Sequence, residues 1–493
     1  MNSPQEHQAL MEEGIWKLSL DKGNIDEALE SFERHKVTTA VDLILYSSDT
    51  LNLQLTHSQA LRLIRLIMSR KDSVIWHEIC LEFSSESPQL QYSVSQIIDC
   101  FPKALVARSF PLSTTYAIHH ALQYGIRLQE LHLSDCALSD GNVEILSEAI
   151  RSPSSQFQKL SLWNVNCVSF QTDVVVDGRH HPLAMALAEN TTLQCIELRR
   201  SMTANLGVMF ELINALIGST SLEDFSLEES NLASKVRVEG DDIALMVPLT
   251  KILMDSQCRI SNLDLANCGL GQQRHWLQSL LSGLEHNASI ESLDLSENGF
   301  DSIDMTMVLD GLKRIRGIRQ LDLNDQGNLL THGSIDWLAN SCLLNPQPTI
   351  CLEELQIDNY LPADMGDSDY ASENGDEDDG QKRENELVLL KLLRNNPSLG
   401  KLGIELDELQ ERLSPRVVQL LDLNLCGRRL LVPISIQQGS CDNNTTTFQY
   451  DQIPLGLWPI ILERADSIFS EFPERCANVL HHFSQNGPLL LDY

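Results

Sequence analysis

The chain has few basic residues and few aromatic residues for its length. Of its 493 residues, 36 are Lys or Arg and 69 are Asp or Glu, so the formal net charge is -33. Such a surface repels nucleic-acid phosphates and anionic membranes, and it attracts basic partners over a long range. We therefore expect no nucleic acid or membrane as a partner. The aromatic content of 5% against a hydrophobic content of 42% predicts a core of stacked Leu, Ile and Val.

The sequence also lacks the motifs of common catalytic and metal sites. It has no Gly-rich phosphate loop, no H-E-x-x-H, no G-x-S-x-G and no C-x-x-C pair among its 12 cysteines. Its three adjacent histidine pairs cannot each chelate one metal ion from a helix, because neighbouring side chains there point about 100° apart. We therefore expect no catalytic residue, no cofactor site and no metal site.

No segment of the sequence reads as a signal peptide or a membrane span. The N-terminal residues are acidic without an apolar core, and no run of about 20 apolar residues occurs. We expect a cytoplasmic protein, with the nucleus as the alternative, whose cysteines are reduced thiols. The N-x-[ST] sequences at Asn190, Asn287, Asn443 and Asn444 are then chance matches, and the first two fall at helix ends.

A pattern of spaced leucines recurs along most of the chain. In SIESLDLSENGF, the residues Ile290, Leu293, Leu295, Asn298 and Phe300 follow the spacing L-x-x-L-x-L-x-x-N-x-L. This spacing predicts a short strand followed by a turn that an Asn side chain holds. Further copies start at Trp76, Leu128, Phe157, Leu193, Leu222, Ile260, Ile318, Leu352 and Leu399, with a weaker one near Leu105.

The shorter units, of 28–30 residues, leave room for a full helix after each strand. Helical apolar spacing occurs in GNVEILSEAI, NLGVMFELINALIG and HWLQSLLSGLEHN. With Cys136, Cys268 and Asn298 in the Asn slot, the repeats resemble ribonuclease-inhibitor-like leucine-rich-repeat proteins. The resemblance implies an α/β solenoid, a curved horseshoe with a parallel inner sheet and outer helices, which binds proteins without enzymatic activity.

We expect three regions along the chain. Residues 1–74 should form a helical N-terminal cap, 75–412 the solenoid of about 9–11 repeats, and 413–493 a mainly helical C-terminal cap. The insertion 362–384 is rich in Asp, Glu, Gly and Ser, so it should be a disordered acidic loop. The basic helix QALRLIRLIMSRK is either a cap or a binding element. The C-terminal segments LDLNLCGRRLL and GLWPIILERAD are similar to the tails of uncharacterised repeat proteins of diatoms and related algae.

The residues between the strand leucines identify the candidate binding surface. Because alternate strand residues point to opposite faces, these residues should face the inner, concave surface. The central column reads His132, Ser161, Glu197, Ser226, Asp264, Asp294, Asp322, Gln356 and Gly403. With flanking columns included, the predicted partner-binding residues are Trp163, Glu197, Arg199, Asp224, Glu228, Asp264, Asp294, Asp322, Glu354 and Asp358.

Two questions about this surface stay open at the level of sequence. Asp264, Asp294 and Asp322 either receive Lys or Arg side chains from a partner or simply keep the strand face soluble. Trp163 is either an interface anchor or a ring that a local register shift buries, because Val165 occupies the Asn slot of its repeat.

The leading hypothesis is a non-catalytic interaction scaffold that binds a partner with a basic patch on its concave face. The alternative is a regulator of a small GTPase, since GTPase-activating proteins with this class of repeat exist. In that case Arg199 and Arg200 are the residues that would act. The sequence specifies neither the partner nor the oligomeric state.

Overall fold

The structure is a computed structural model that divides into two compact units, unit 1 (Met1–Ile260) and unit 2 (Ser261–Tyr493). The residues that it describes are 11–12, 15–20, 30, 41–45, 76–82, 104–108, 129–134, 137–153, 155–167, 181–200, 206–232, 234–238, 241–315, 317–326, 336–341, 343, 352–357, 378–403, 413–426, 458–468 and 476–481.

Unit 1 is built on a parallel sheet. Its strands are β1 (Met11–Glu12), β2 (Ile15–Leu20), β3 (Val41–Leu45), β4 (Trp76–Glu82), β5 (Ala104–Arg108), β6 (Glu130–Ser134), β7 (Ala137–Leu138), β8 (Lys159–Trp163), β9 (Asn166–Cys167), β10 (Cys195–Arg199), β11 (Asp224–Ser226), β12 (Lys235–Val238) and β13 (Asp241–Ala244). Among the described residues, eight strands pair in parallel in the order β2-β3-β4-β5-β6-β8-β10-β11. The remaining pairs are β1 with β2, β7 with β9, and the hairpin β12–β13.

Helices alternate with the later strands of unit 1. They are α1 (Asp140–Arg151), α2 (Pro182–Glu189), α3 (Leu206–Ala215) and α4 (Met246–Met254). Within this unit, α1 packs on α2, α2 on α3 and α3 on α4. Ser139 caps α1 by accepting a hydrogen bond from the backbone N–H of Asn142. The core lies between sheet and helices, where Leu160, Leu162 and Leu198 are fully buried.

The N-terminal region differs from the helical cap expected over residues 1–74. Three of the described strands, β1, β2 and β3, lie there, and β3 pairs in parallel with β4. The segments WKLSL and VDLIL carry the alternation of a strand, although neither has the full repeat spacing. The basic helix expected at QALRLIRLIMSRK lies outside the described residues.

Unit 2 repeats the same alternation. Its strands β14 (Asn262–Asp264), β15 (Ser292–Asp294), β16 (Gln320–Asp322) and β17 (Glu354–Gln356) pair in parallel in chain order. Its helices are α5 (Arg274–His286), α6 (Ser302–Leu312), α7 (Asp336–Ala339), α8 (Asp378–Asn395), α9 (Pro415–Leu425) and α10 (Trp458–Ile468), and residues 476–481 are also helical. Asp301 and Asp304 form a capping box that starts α6.

Helix α8 corrects part of the expected disordered loop at 362–384. The helix begins at Asp378, inside that segment. Its second half carries buried leucines, Leu389, Leu392 and Leu393 among them, and packs on α9. This burial offsets the entropy cost of ordering the acidic residues before it. The remainder, 362–377, lies outside the described residues.

A buried Asn side chain connects neighbouring repeats in unit 2. Asn298 is only 2% exposed. Its Nδ2 donates to the carbonyl oxygens of Leu265 at 2.8 Å and Leu295 at 2.9 Å. Its Oδ1 accepts from the backbone N–H groups of Cys268 at 3.0 Å and Leu270 at 3.1 Å. Backbone groups that the turn leaves unpaired are therefore satisfied by one side chain.

Other residue types perform the same task in other repeats. Gln326, which is fully buried, donates from Nε2 to the carbonyl of Leu295 at 2.7 Å and accepts from the N–H of Phe300 at 3.1 Å. In unit 1, Ser230 donates from Oγ to the carbonyl of Leu198 at 3.0 Å. In these repeats the slot is filled by a hydrogen-bonding side chain of suitable reach, which need not be Asn.

The residue before each slot adopts a left-handed backbone conformation. Its φ lies between 47° and 57° in six of the described repeats, at Asn164, Arg200, Glu229, Asn267, Glu297 and Asp325. This conformation costs a residue other than Gly roughly 1–2 kcal/mol. After Glu229, Glu297 and Asp325, the hydrogen bonds of the slot side chains Ser230, Asn298 and Gln326 stabilise the turn against this cost.

Replacing Asn298 with Ala should lower the free energy of unfolding by about 3 kcal/mol or more. The buried N–H groups of Cys268 and Leu270 lose their acceptor, and each such group costs about 1–3 kcal/mol. Urea denaturation followed by circular dichroism measures the loss. The matched control is Asn340→Ala at an exposed position, which should stay within about 0.5 kcal/mol. Equal losses in both variants would contradict the structural role of the slot.

His181 makes the stability of the protein depend on pH. It is 2% exposed at the start of α2, and its burial lowers the pKa of the imidazole from 6.5 to about 4. Between these values the unfolded chain binds more protons, so the free energy of unfolding decreases as pH falls from 6.5 to 4. His181→Gln should remove up to about 3 kcal/mol of this decrease. Urea denaturation at pH 7, 5.5 and 4.5 tests it, and an unchanged pH dependence in the variant would refute it.

Candidate interaction surface

The polar sheet face of unit 1 aligns three columns of side chains. Residues of adjacent strands β6, β8, β10 and β11 stand in register, so each column runs across the strands. The columns are Glu130, Lys159, Cys195 and Asp224; His132, Ser161, Glu197 and Ser226; and Ser134, Trp163 and Arg199, with Glu228 beyond the end of β11. The leucines between them point into the core.

Four charged side chains form a continuous network on this face. Lys159 Nζ lies 2.7 Å from Glu197 Oε1, and Arg199 Nε lies 3.8 Å from Glu197 Oε2. Arg199 Nη1 also pairs with Glu228 Oε2 at 2.8 Å. Two cations and two anions alternate, so the network compensates its own charge. Of the predicted partner-binding residues, Glu197, Arg199 and Glu228 are brought together here.

The pKa shifts of Glu197 and Lys159 both favour the charged form of the side chain. Burial alone raises the pKa of Glu197, but hydrogen bonds from Lys159 and Ser161 and the two nearby cations outweigh it and lower that pKa. Burial lowers the pKa of Lys159, and its hydrogen bond with Glu197 raises it above the usual value. Burial raises the pKa of the Cys195 thiol to about 12, so it is protonated at neutral pH and cannot serve as a thiolate nucleophile.

Trp163 presents its ring at the end of β8. The side chain is 49% exposed, whereas Val165 in the slot two residues later is completely buried. The interpretation in which a register shift buries the ring is therefore wrong. An apolar Val in the slot does not turn the strand over. Trp163 pairs in register with Arg199 on β10, so the exposed ring stands next to the charged network.

Unit 2 places three aspartates side by side. Asp264 pairs with Asp294, and Asp294 with Asp322, in direct register on β14, β15 and β16. Neighbouring strands lie about 4.8 Å apart. We call Asp264, Asp294 and Asp322 the acidic row. The next position on β17 is Gln356, where the row of carboxylates ends.

Each aspartate of the acidic row also supports its own turn. Its Oδ1 accepts a hydrogen bond from the backbone N–H two residues later: Ala266 at 3.1 Å, Ser296 at 2.8 Å and Asn324 at 2.9 Å. This contact holds each carboxylate in one orientation. The row therefore has a structural role, and it also presents negative charge in a fixed arrangement.

The remaining predicted residues lie apart from these groups. Glu354 on β17 accepts a hydrogen bond from Gln356 Nε2 at 2.9 Å and lies 3.5 Å from Lys401 Nζ. Asp224 occupies the first column of unit 1, in register with Cys195. Asp358 lies outside the described residues. In the part of the chain that the structure describes, no cluster of His, Cys, Asp and Glu is arranged to hold a metal ion, and no helix could cross a membrane.

Comparison with known proteins shows which repeat class these units belong to. No family model matches the sequence. Ribonuclease inhibitor of Mus musculus is 25% identical over 241 residues, which cover 45% of this chain and 49% of that protein. Ribonuclease inhibitor of Sus scrofa is 26% identical over 214 residues, 40% of this chain and 45% of that one. The repeats of this chain are ribonuclease-inhibitor-like leucine-rich repeats.

The match of this leucine-rich-repeat protein to its relatives is partial. "NACHT, LRR and PYD domains-containing protein 3" of Rattus norvegicus is 26% identical over 255 residues, 49% of this chain and 23% of that protein. The chain thus spans about half the length of the ribonuclease inhibitors and less than a quarter of the NACHT protein. The resemblance of its C-terminal segments to algal proteins stays a prediction.

Unit 1 of this leucine-rich-repeat protein contains a groove that the spacing of its leucines does not predict. This groove is lined by polar side chains that directly precede the strands, Gln129, Gln158 and Gln194 among them. The repeat pattern contains these glutamines at one fixed position, directly after the first apolar residue of each unit. That recurrence was the signal that could have revealed the groove.

Trp163→Ala should change the free energy of unfolding by less than about 1 kcal/mol, because half of the side chain already contacts water. The matched change Phe225→Ala removes a ring that is 1% exposed in the same sheet. It should cost about 3–5 kcal/mol. Urea denaturation compares the two variants. Similar losses would show that the Trp163 ring packs into the fold and is no free interface anchor.

Proposed function

We propose that this chain is a non-catalytic interaction scaffold whose acidic row binds a partner protein with a basic surface. One observation carries the proposal: three carboxylates stand in register on adjacent strands, and a backbone hydrogen bond orients each of them. The relatives support the broader part of the proposal, because a ribonuclease inhibitor acts on another protein, as its name states.

The energetics favour such a partner. An exposed ion pair contributes about 0.2–1 kcal/mol, so three pairs with the acidic row together supply roughly 1–3 kcal/mol. The carboxylates are already oriented, so little side-chain entropy is lost on binding. The net charge of -33 adds long-range attraction that speeds the encounter with a basic partner.

The charged network of unit 1 contributes differently. Glu197 and Glu228 already pair with Lys159 and Arg199, so an incoming basic group gains less there. Trp163 is the stronger candidate on that face, because exposed tryptophans are frequent anchors of interfaces. We propose that Trp163 acts as an apolar contact. Arg199, Asp224, Glu354 and Asp358 would be peripheral contacts.

The alternative function, regulation of a small GTPase, requires an arginine that reaches the nucleotide of the partner. Arg199 pairs with Glu228 at 2.8 Å, and Arg200 Nε lies 3.4 Å from Glu229 Oε2. Either arginine would have to leave its carboxylate to act in this way, which adds to the cost of catalysis. The scaffold is therefore the function that we favour.

We further propose a reducing compartment, the cytoplasm or the nucleus, as the site of action. Among the described residues, Cys195, Cys258, Cys268, Cys426 and Cys476 are free thiols, as expected where glutathione keeps cysteines reduced.

Selection from a random peptide library tests the proposed binding. The wild-type protein should enrich peptides rich in Lys and Arg. The triple variant Asp264→Asn, Asp294→Asn, Asp322→Asn keeps an oxygen acceptor for each turn but removes three charges. Its affinity for the enriched peptides should fall by roughly tenfold or more, corresponding to about 1.4 kcal/mol. Raising the salt concentration should weaken wild-type binding in the same direction.

A control variant with the same change of charge separates local from general electrostatics. Glu144→Gln, Glu148→Gln and Asp310→Gln remove three exposed charges on α1 and α6. This control should retain most of the wild-type affinity. Equal loss in both triple variants would show that only the overall charge matters. Enrichment of neutral or acidic peptides by the wild-type protein would contradict the proposal outright.

A further inference from the structure

Unit 1 contains a polar groove along the N-terminal ends of its strands. Gln129, Gln158, Gln194 and Glu223 each directly precede a strand, and all four line the groove. They lie side by side because backbone hydrogen bonds connect each of them to the next. The N–H of Gln158 donates to the carbonyl of Gln129 at 2.7 Å, that of Gln194 to Gln158 at 2.8 Å, and that of Glu223 to Gln194 at 2.7 Å. The side chains therefore form a ladder with a step of about 4.8 Å.

Residues of the loops that precede the strands also line the groove, and hydrogen bonds hold one of these loops in place. Thr192 donates from Oγ1 to the carbonyl of Phe157 at 2.8 Å. Asn190 Oδ1 accepts from the N–H groups of Thr192 at 2.9 Å and Leu193 at 2.7 Å. Asn190 Nδ2 donates to the carbonyl of Ile150 at 2.7 Å. This part of the groove lining is therefore ordered without a ligand, which reduces the entropy cost of binding.

The size and charge of the groove restrict its ligand. Its volume is about 710 Å³, within the usual range of ligand sites. All of its lining residues are polar, and Glu223 and Arg259 supply one charge of each sign. In a chain with a net charge of -33, this surface is neutral. Its lining includes no aromatic ring on which a nucleobase could stack. A neutral ligand with many hydrogen-bonding groups fits this lining.

The glutamine ladder matches the main chain of a peptide. A glutamine side chain carries one carbonyl acceptor and one NH₂ donor, the same pair that every peptide bond presents. Extended peptides are recognised in many complexes by hydrogen bonds to their main-chain groups. Four positions at the ladder step span about 14 Å, the length of about four extended residues.

We propose that this groove binds an extended, uncharged stretch of peptide through its main-chain amides, with small polar side chains such as Ser, Thr, Asn or Gln. The acidic row binds basic groups in unit 2, so the two sites select different segments. The proposal for the groove is independent of the scaffold proposal for the acidic row.

The probe is an acetylated and amidated hexapeptide of Ser, Thr, Asn and Gln, observed by saturation-transfer NMR with the full chain. The double variant Gln158→Ala, Gln194→Ala removes two exposed amides of the ladder. It should weaken binding by roughly tenfold, as expected for the loss of two neutral hydrogen bonds. A peptide methylated at its main-chain nitrogens should bind the wild-type protein with a similar loss, because it lacks the donors.

Matched variants keep the test specific. Gln278→Ala with Gln320→Ala removes two exposed glutamines of unit 2 and should leave binding unchanged. The triple Asn variant of the acidic row should also bind the hexapeptide normally, which separates this proposal from the scaffold proposal. Undiminished binding by the methylated peptide, equal binding by the groove variant, or no binding to the wild-type protein would each overturn the inference. Binding of a neutral oligosaccharide in place of the peptide would overturn it as well.

Discussion

The hydrogen bonds of buried polar slot residues such as Asn298 are the constraint on which the repeats of unit 2 depend. After each strand the chain turns sharply, through a left-handed residue such as Asn267 or Glu297, and leaves backbone groups inside the protein. Asn298 satisfies groups of its own repeat and of the preceding one. Because one side chain bonds two repeats, it also sets their relative register. The columns of side chains on the polar face exist only because that register is kept.

Strand pairing in register arranges single aspartates from separate repeats into one ordered acidic surface. A single Asp between two strand leucines has little meaning, since it can serve only solubility. Asp264, Asp294 and Asp322 gain significance when adjacent strands bring them to the same level and each carboxylate is oriented by its own turn. Unit 1 shows the opposite outcome of the same geometry. There, Lys159 and Arg199 fall beside acidic residues, and the charges compensate each other.

Much of the repeat framework could be predicted because it depends on local spacing. The slots of Leu293, Leu295 and Asn298 and the alternation of strand faces follow directly from the repeat. Gln326 was not recognised as a slot residue, since a longer side chain reaches the same backbone groups by a different path. The strands β2 and β3 were missed because their alternation is short and no full repeat signature accompanies it. The first turns of helix α8 were expected to be disordered, because their acidic composition does not reveal the leucines later in the helix that anchor it.

The sequence by itself determined the repeat class, the identity of the residues on each strand face and the strongly acidic character of the chain. These properties follow from periodicity and composition, which do not depend on distant contacts. Only the tertiary structure decided that the carboxylates of Glu197 and Glu228 are paired, that the ring of Trp163 is exposed, and that glutamines from separate repeats line one groove. Each of these outcomes depends on which side chains adjacent strands bring together, and residues about 30 positions apart become neighbours only when the strands pair.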